Sequence, residues 1–294
     1  MTKADAAELG TGRPHDTERP DIETSSDRYA DRRFAGPAGR WLLAQQSQAI
    51  ASVLDRMGEA PLRVLEVGGG HGQITQLLLE RGHHVVVHGS DPVCFSRIES
   101  ARHSYPDRLE RCAASLRALP FADGSFDIVI AVRLLGHVTE WRAFLGELAR
   151  LSRRFVVVEF PRKSDVLALQ SLRDALFSLK HRVEGTTRPF FAYSEGALVD
   201  ELQGCGFRRV TTVGQFALPM VAHRMLRSPA LSAGLEQALR VAGIGDGRRS
   251  PAILLGEREH AGVAAPVAMG SAAGTLAAAM RAAAAAGAML PSSS

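Results

Sequence analysis

The fold is decided by VLEVGGGHGQIT, residues Val64–Thr75, where alternating glycines follow a short apolar run and precede a helical pattern. Gly68, Gly70 and Gly72 let the backbone turn tightly and approach a ligand without an intervening Cβ, while the start of the following helix offers unpaired N–H groups. Alternate glycines exceed what a plain structural turn needs. The pattern therefore predicts a strand, a ligand-binding loop and a helix in succession.

Short apolar runs alternate with helical patterns on both sides of this loop. Continuous apolar character indicates strands that are covered on both faces, and helices between them indicate parallel crossovers. The sequence therefore predicts an open, doubly wound, mostly parallel α/β sheet, in which ligands bind beyond the carboxyl ends of the strands. The expected strands are Arg63–Val67, His84–Gly89, Phe126–Val132, Phe155–Phe160 and Ala252–Glu257, and the expected helices include Arg40–Gly58, Trp141–Leu151, Asp165–Lys180 and Glu195–Gln203.

Composition and charge restrict the class of protein. The 294 residues are 22% charged and 46% hydrophobic, which is typical of ordinary globular chains. Because 35 basic residues exceed 31 acidic ones only mildly, no nucleic-acid partner is expected. Three cysteines without metal or redox spacing predict a cytoplasmic setting. The sequence contains neither a signal segment nor a run of about 18 apolar residues, so no membrane partner is expected.

The chain divides into three regions by composition. Residues 1–27 are mostly polar and predict a disordered arm. Residues 28–260 predict one globular domain. Residues 261–294 contain 15 alanines among 34 residues and predict a low-complexity tail that builds no core of its own.

The glycine spacing separates two cofactor classes. A dinucleotide fingerprint G-x-G-x-x-G would need a third glycine at Gln73 or Thr75, and no Walker A lysine follows the loop. Asp91 lies just past the second expected strand, where a doubly wound fold uses a carboxylate to accept hydrogen bonds from ribose hydroxyls. The same residue, followed by Pro92, is also a good helix N-cap, and the two roles are compatible.

Four segments together resemble the class I S-adenosylmethionine-dependent methyltransferases, in the group that includes quinone and small-metabolite enzymes. They are VLEVGGGHG, GSD at 89–91, LPFADGSFDIVIAV at 119–132 and FVVVEFPR at 155–162, and GCGFRRV at 204–210 fits a later strand of that family. The resemblance implies a seven-stranded sheet with helices on both faces, S-adenosylmethionine as cofactor and methyl transfer as the activity.

The same resemblance implies a cofactor role for residues in and after the first expected strand, after the second, and just ahead of LPF at 119–121. Glu66 would face the cofactor's ammonium group through a water or a loop N–H, Asp91 would hold the ribose, and Pro92 would border the adenine. The family usually has Gly-Asp-Ala where this chain has Ala-Ser-Leu, so Ser115 replaces an acid and the N–H of Leu116 is expected to contact the adenine. The expected cofactor residues are Glu66, Gly68, Gly70, Gly72, Asp91, Pro92, Ser115 and Leu116.

A catalytic base is needed only when the acceptor must lose a proton, since alignment supplies most of the rate enhancement in such a displacement. His137 follows the expected strand Phe126–Val132 and is the candidate base, with a packing role as the alternative. His71 is expected to position backbone, and Glu159 either faces the crevice or anchors Arg162. No carboxylate cluster follows the expected strand Phe126–Val132, where Arg133 stands, so no metal is expected.

Residues 161–225 hold more sequence than a simple crossover needs and are expected to form an insertion or lid on the acceptor side. Its aromatic segment 190–193 would cover an aromatic or amphipathic acceptor or, alternatively, form a small satellite core. Tyr29 and Phe34 would similarly fold over the cofactor or pack on the sheet.

The sequence thus predicts methyl transfer to a small-molecule acceptor, with O-methylation of a hydroxylated metabolite favoured. One alternative is aminopropyl transfer of the polyamine synthase type, against which Arg133 argues, because a cationic amine requires acidic residues. The other alternative is a non-catalytic binding module of the same fold. A DNA-modifying enzyme would show an Asn/Asp-Pro-Pro-aromatic motif after the fourth strand, and the sequence has none there.

Overall fold

A computed structural model of the chain describes residues 36–58, 61–70, 72, 74–163, 191–243 and 249–258. Within these ranges seven strands form one sheet in the order β3-β2-β1-β4-β5-β7-β6. Strands β1 to β5 pair in parallel, and β7 runs antiparallel to both β5 and β6. The strands are β1 Arg63–Val67, β2 His84–Gly89, β3 Leu109–Ala113, β4 Phe126–Ala131, β5 Ser152–Phe160, β6 Phe207–Gly214 and β7 Ala252–Arg258.

Helices connect the strands and cover both faces of the sheet. The α-helices are α1 Gly36–Leu54, α2 Thr75–Glu80, α3 Glu99–Ser104, α4 Trp141–Leu151, α5 Glu195–Gly204, α6 Met220–Leu226 and α7 Pro229–Val241, and two 3₁₀ helices span Pro92–Ile98 and Leu135–His137. Among the described residues, no helix is both long and apolar enough to cross a bilayer.

Two apolar layers hold the helices to the sheet. One layer packs α4 and α5 against the strands, with Phe126 and Leu148 fully buried in it. The other packs α1 and α2 against the opposite face, with Ile50 and Leu78 fully buried. Because β1 and β4 are buried along nearly their whole length, the loops at their carboxyl ends start from fixed positions.

The doubly wound, mostly parallel seven-stranded sheet expected from the sequence is confirmed. α4 has the expected bounds, whereas α1 begins earlier than expected, at Gly36, and ends before Gly58. The strand β3 was not predicted, because only Leu109 and Cys112 of its side chains are buried at this edge of the sheet. The helix expected at 165–180 and the proposed arm and tail lie outside the described residues.

The connection between β6 and β7 was not predicted as a structured unit. It runs from Gln215 to Pro251 and contains α6 and α7. Because Gly214 pairs with Ala252, and Ala252 pairs with Phe160, this connection leaves and rejoins the sheet at the carboxyl ends of β5 and β6. It therefore lies at the edge where a ligand is expected.

Candidate functional site

The glycine loop after β1 is wedged between two neighbouring groups. A Cβ on Gly69 would lie 2.4 Å from the carboxyl carbon of Glu66, and one on Gly70 would lie 2.5 Å from the backbone oxygen of Cys94. Gly68 has a φ of +72°, a conformation that favours glycine. Its backbone is exposed to solvent, so the loop offers an accessible main chain at the end of β1.

Glu66 lies buried beneath this loop. Its Oε2 accepts a hydrogen bond of 2.5 Å from the hydroxyl of Thr75, the first residue of α2. Desolvation by burial raises the pKa of Glu66 to about 8, and the Thr75 hydroxyl lowers it only in part. At neutral pH the carboxyl group therefore holds its proton, and a cation brought to the loop would favour its ionised form.

Asp91 caps the 3₁₀ helix that follows β2. Its Oδ1 accepts a hydrogen bond of 2.9 Å from the N–H of Val93, which is the N-cap role considered for it. Its Oδ2 has no partner among the described residues, so this oxygen remains available to a ribose hydroxyl. Pro92 and Val93 are both exposed beside it, as an adenine-bordering surface would require.

The loops after β1, β2 and β3 are joined by hydrogen bonds. The N–H of Gly69 donates to the oxygen of His88 over 3.2 Å, and the N–H of Ala114 donates to Gly89 over 3.1 Å. His88 is buried, which lowers the pKa of its imidazole, and its Nε2 donates to the oxygen of Ala114 over 2.9 Å. These bonds bring the Ala-Ser-Leu segment next to the glycine loop.

Ser115 and Leu116 adopt different roles in that segment. Ser115 is exposed, and its Oγ accepts a hydrogen bond from the N–H of Arg117. The side chain of Leu116 packs on the core, and its backbone N–H has no acceptor among the described residues. The contact between the Leu116 N–H and the adenine stays a prediction, and this N–H is available as its donor.

His137 ends the short 3₁₀ helix after β4 and is half-buried. Its N–H donates to the oxygen of Leu134, whose side chain would lie 3.0 Å from a Cβ on Gly68. The candidate base and the glycine loop are thus linked through one side chain. His71 lies outside the described residues.

The aromatic segment 190–193 divides between two roles. Tyr193 is buried, and its hydroxyl donates to the oxygens of Leu135 and Val138, at 3.0 and 2.8 Å. Burial raises the pKa of this hydroxyl to about 12. A lid role for Tyr193 is therefore wrong, because its ring belongs to the core and holds the His137 turn in place. Phe191 remains exposed, while Phe190, Tyr29 and Phe34 lie outside the described residues.

A second buried carboxylate, Glu159, lies at the carboxyl end of β5. Its Oε1 accepts hydrogen bonds from the side-chain amides of Gln46 and Gln215, at 2.7 and 2.6 Å. Its Oε2 accepts from the N–H of Arg133 over 2.9 Å, and the Nε of Arg133 donates in turn to Gln46 over 3.1 Å. Glu159 therefore joins α1, the loop after β4 and the start of the β6–β7 connection.

The alternative in which Glu159 anchors Arg162 is wrong. Arg162 instead pairs with Glu195 at the start of α5, over 2.6 Å. Gln46 and Gln215 were not singled out in the sequence, because an isolated glutamine carries no local signal and their common partner is distant along the chain. Arg133 has a φ of +59°, which is unusual for a residue with a Cβ.

Within the described residues, no group of three or more His, Cys, Asp or Glu side chains is arranged to hold a metal ion. The expectation of a metal-free site stays a prediction. The polar groups around the glycine loop include an open carboxylate oxygen at Asp91, a protonated carboxyl at Glu66 and exposed backbone at Gly68. Such a set suits an organic ligand that bears hydroxyl and ammonium groups.

Comparison with protein families supports this chemistry. Residues 65–155 match the family described as "Methyltransferase domain". The match begins in β1 and ends in β5, so it covers the glycine loop, Asp91, the Ala-Ser-Leu segment and the His137 turn.

Curated relatives share this part of the chain. A demethylmenaquinone methyltransferase from Thermus thermophilus is 32% identical over 108 residues, which are 35% of this chain and 49% of the relative. A malonyl-[acyl-carrier protein] O-methyltransferase from Halorhodospira halophila is 31% identical over 140 residues, 45% of this chain and 47% of the relative. The chain thus spans about half the length of these relatives.

Solved structures extend the likeness to most of the fold. Magnesium protoporphyrin IX methyltransferase from Synechocystis PCC 6803, with bound SAH, has a TM-score of 0.55 at 18% identity, and the match covers 82% of this chain and 98% of that one. The 1,6-didemethyltoxoflavin-N1-methyltransferase of Burkholderia thailandensis has a TM-score of 0.55 at 15% identity, with 86% and 93% coverage. At these identities the likeness establishes the fold.

Proposed function

We propose that the chain transfers the methyl group of S-adenosylmethionine to a small-molecule acceptor, by O-methylation of a hydroxyl. The match of residues 65–155 to a methyltransferase domain and the likeness of the fold to solved methyltransferases support this proposal. The observation that carries this proposal is the joining of the loops after β1, β2 and β3, which puts the exposed Gly68 backbone, the open oxygen of Asp91 and the buried Glu66 at one edge.

The residues at this edge fit the donor. The open Oδ2 of Asp91 accepts a ribose hydroxyl, and the exposed side chain of Val93 borders the adenine ring. The methionine part lies over the glycine loop, where its ammonium group draws Glu66 toward the ionised form. When bound, S-adenosylmethionine supplies a methyl group that is already activated by its sulfonium, so the protein mainly has to align the acceptor and exclude water.

His137 accepts the proton of the acceptor hydroxyl in this proposal. Its turn is fixed from both sides, by the Tyr193 hydroxyl and by the N–H of Phe191, which donates to Gly136 over 2.8 Å. The turn contacts the glycine loop through Leu134, and an imidazole is the side chain most often used to remove a proton at neutral pH. The acceptor then lies between this turn and the Glu159 network.

Titration calorimetry tests the donor site. Wild type should bind S-adenosylmethionine or S-adenosylhomocysteine, and Asp91→Ala should weaken binding by about 1 to 3 kcal/mol because charge-assisted hydrogen bonds are lost. Asp91→Asn is the matched variant, since its amide oxygen preserves the N-cap and separates loss of the cap from loss of the charge. Undiminished binding by Asp91→Ala would refute the ribose role.

Transfer of label tests the activity itself. Incubation with methyl-labelled donor and small-molecule extracts should label an acceptor, and His137→Ala should remove the lower inflection from the pH profile of kcat/KM. A label that never leaves the donor contradicts methyl transfer. An unchanged pH profile in His137→Ala removes this residue as the base while leaving the donor site intact.

A further inference from the structure

The β6–β7 connection is fastened beside the acceptor side of the site. Gln215 donates to Glu159, and the next ring, Phe216, packs on Trp41 of α1 with ring centroids 5.7 Å apart. His223 of α6 completes this aromatic contact, with its centroid 5.0 Å from that of Trp41. Helices α6 and α7 therefore have a fixed place next to the carboxyl ends of β4 and β5.

Helix α7 is inverted with respect to the usual distribution of polar and apolar residues. Its buried face contains Ser232 and Glu236, whereas Leu231, Leu235 and Val241 are 58%, 42% and 78% exposed. Soluble helices normally bury the apolar stripe and expose the polar one. The exposed positions of α7 are Ala230, Leu231, Ala233, Gly234, Leu235, Gln237, Ala238, Arg240 and Val241, of which two are polar.

The buried face of α7 is held by hydrogen bonds, so the helix cannot rotate to hide its leucines. Glu236 accepts from the N–H groups of Ala217 and Leu218, each over 3.0 Å, and lies 3.1 Å from the Nε2 of His223. The neighbouring groups keep the pKa of Glu236 below its usual range despite burial. Turning α7 outward would strip these bonds from a buried carboxylate, which is strongly unfavourable.

Exposed apolar side chains concentrate on α6 and α7. The large apolar side chains exposed among the described residues are Val93, Phe191, Met225, Leu231, Leu235 and Val241. Most of them belong to α6 and α7, while Val93 follows β2 and Phe191 is bonded to the turn after β4. We name Met225, Arg227, Leu231, Leu235, Arg240 and Val241 the α6–α7 face.

The charge on the α6–α7 face is positive. Arg227 and Arg240 are exposed and form no ion pair within the described ranges. Glu236 is the one acidic residue between Phe207 and Gly243, and it is buried. A surface of exposed leucines with unpaired arginines matches the pattern of helices that lie in the interface of an anionic bilayer.

We propose that the α6–α7 face rests on an anionic lipid surface and that the acceptor is an amphipathic molecule held in that surface. The inference rests on the proposed methyl transfer and names its substrate class. Self-association is disfavoured, because an isologous dimer would bring the arginines of two identical faces together without an exposed acid to offset them. The proposed lipid contact departs from the expectation of no membrane partner, because binding at a membrane surface needs one apolar helix face rather than a run of residues that spans the bilayer.

Co-sedimentation of the full chain with vesicles tests this proposal. The protein should pellet with mixed phosphatidylglycerol and phosphatidylcholine vesicles and remain largely in solution with pure phosphatidylcholine. The pair Leu231→Gln and Leu235→Gln should lower the partition coefficient by about tenfold or more, because two apolar side chains no longer enter the interface. Arg227→Gln and Arg240→Gln should each lower it by about fivefold.

Matched variants control for general effects of substitution. Replacing Leu231 and Leu235 together by methionine keeps the face apolar and should preserve binding, as should Arg56→Gln, which removes an exposed charge before the amino end of β1. All variants should bind S-adenosylhomocysteine in solution like wild type, which confirms that they fold.

The outcomes separate this proposal from the proposed function. If wild type binds the donor but does not pellet with anionic vesicles, the lipid-surface proposal is refuted and the proposed function is not. The same holds if the Leu231→Gln and Leu235→Gln variant pellets with these vesicles as well as wild type. A dimer in light scattering that the glutamine pair abolishes, without vesicle binding, assigns the face to a second copy and also overturns it. Vesicle binding by a wild type that binds no donor would instead overturn the proposed function.

Discussion

Glu66 should make the stability of the folded chain fall as pH rises through the neutral range. Burial raises its pKa from 4.5 to about 8. The folded state therefore keeps this proton up to about pH 8, whereas the unfolded chain releases it near its usual pKa. Between these values the unfolded state binds fewer protons, so the free energy of unfolding decreases with pH; above the folded pKa the loss is complete.

The magnitude follows from the size of the shift. At about 1.36 kcal/mol per pKa unit, the move from 4.5 to about 8 corresponds to about 5 kcal/mol by pH 8. Glu66→Gln should be free of this loss, because the amide is neutral at every pH and its oxygen still accepts from Thr75. The free energy of unfolding of Glu66→Gln, relative to that of wild type, should therefore rise by about 1.4 kcal/mol for each pH unit between about 5 and 8.

Urea unfolding followed by circular dichroism, without ligand, measures both proteins across this range. Subtracting one pH profile from the other cancels the other titrating groups and leaves the contribution of Glu66. Thr75→Val is a useful companion, because it removes the hydroxyl that lowers the Glu66 pKa and should extend the loss of stability to higher pH at the same slope. A difference between wild type and Glu66→Gln that stays constant within about 0.5 kcal/mol would refute the assignment of a protonated, desolvated carboxyl.

Further substitutions test the packing of the site by thermal and urea unfolding. Gly70→Ala should cost about 1 to 3 kcal/mol and weaken donor binding, because its Cβ would lie 2.5 Å from the Cys94 oxygen; Gly146→Ala, in α4 with nothing within 4 Å, should instead be neutral or stabilising by up to about 1 kcal/mol. Equal losses in both would contradict the close approach. Tyr193→Phe should cost about 1 to 2 kcal/mol and lower kcat more than donor affinity, since two carbonyls in the turn before the fourth helix lose their donor; unchanged stability would show that water replaces it. Glu159→Leu should cost about 3 to 5 kcal/mol by leaving one buried and two partly buried donors unpaired, and a loss under about 1 kcal/mol would disprove the role of Glu159 in joining these segments.

The part of the fold that local sequence encodes was predictable. The glycine loop and Asp91 each follow a β-branched run by a residue or two. The residue types and their spacing therefore predict where the strands end and which residues lie at those ends. Parallel strands bring such ends to one edge without further information. The N-cap role and the ribose role of Asp91 proved compatible, because one carboxylate oxygen serves the cap and the other is open.

The part of the site that depends on distant pairings was not predictable. Gln46 and Gln215 lie far along the chain from Glu159, and neither residue type signals a buried partner. The short separation of Glu159 and Arg162 suggested an ion pair, yet Arg162 lies beyond the end of β5 and its side chain pairs with Glu195 of α5 instead. Tyr193 looked like a lid because its neighbours are aromatic, whereas its burial follows from the β4 turn above it.

This division explains why the donor is easier to assign than the acceptor. The donor's contacts come from residues that lie next to their own strand ends, so a class of cofactor can be inferred from spacing alone. The acceptor side is assembled by Glu159 from three segments and by α6 and α7. The exposed leucines of α7 contradict the ordinary rule that a helix buries its apolar face. A sequence reader who applies that rule places Leu231 in the core. The hydrogen bonds of the buried Glu236 instead keep the leucines of α7 exposed. The exposed leucines make the β6–β7 connection a candidate surface near the substrate.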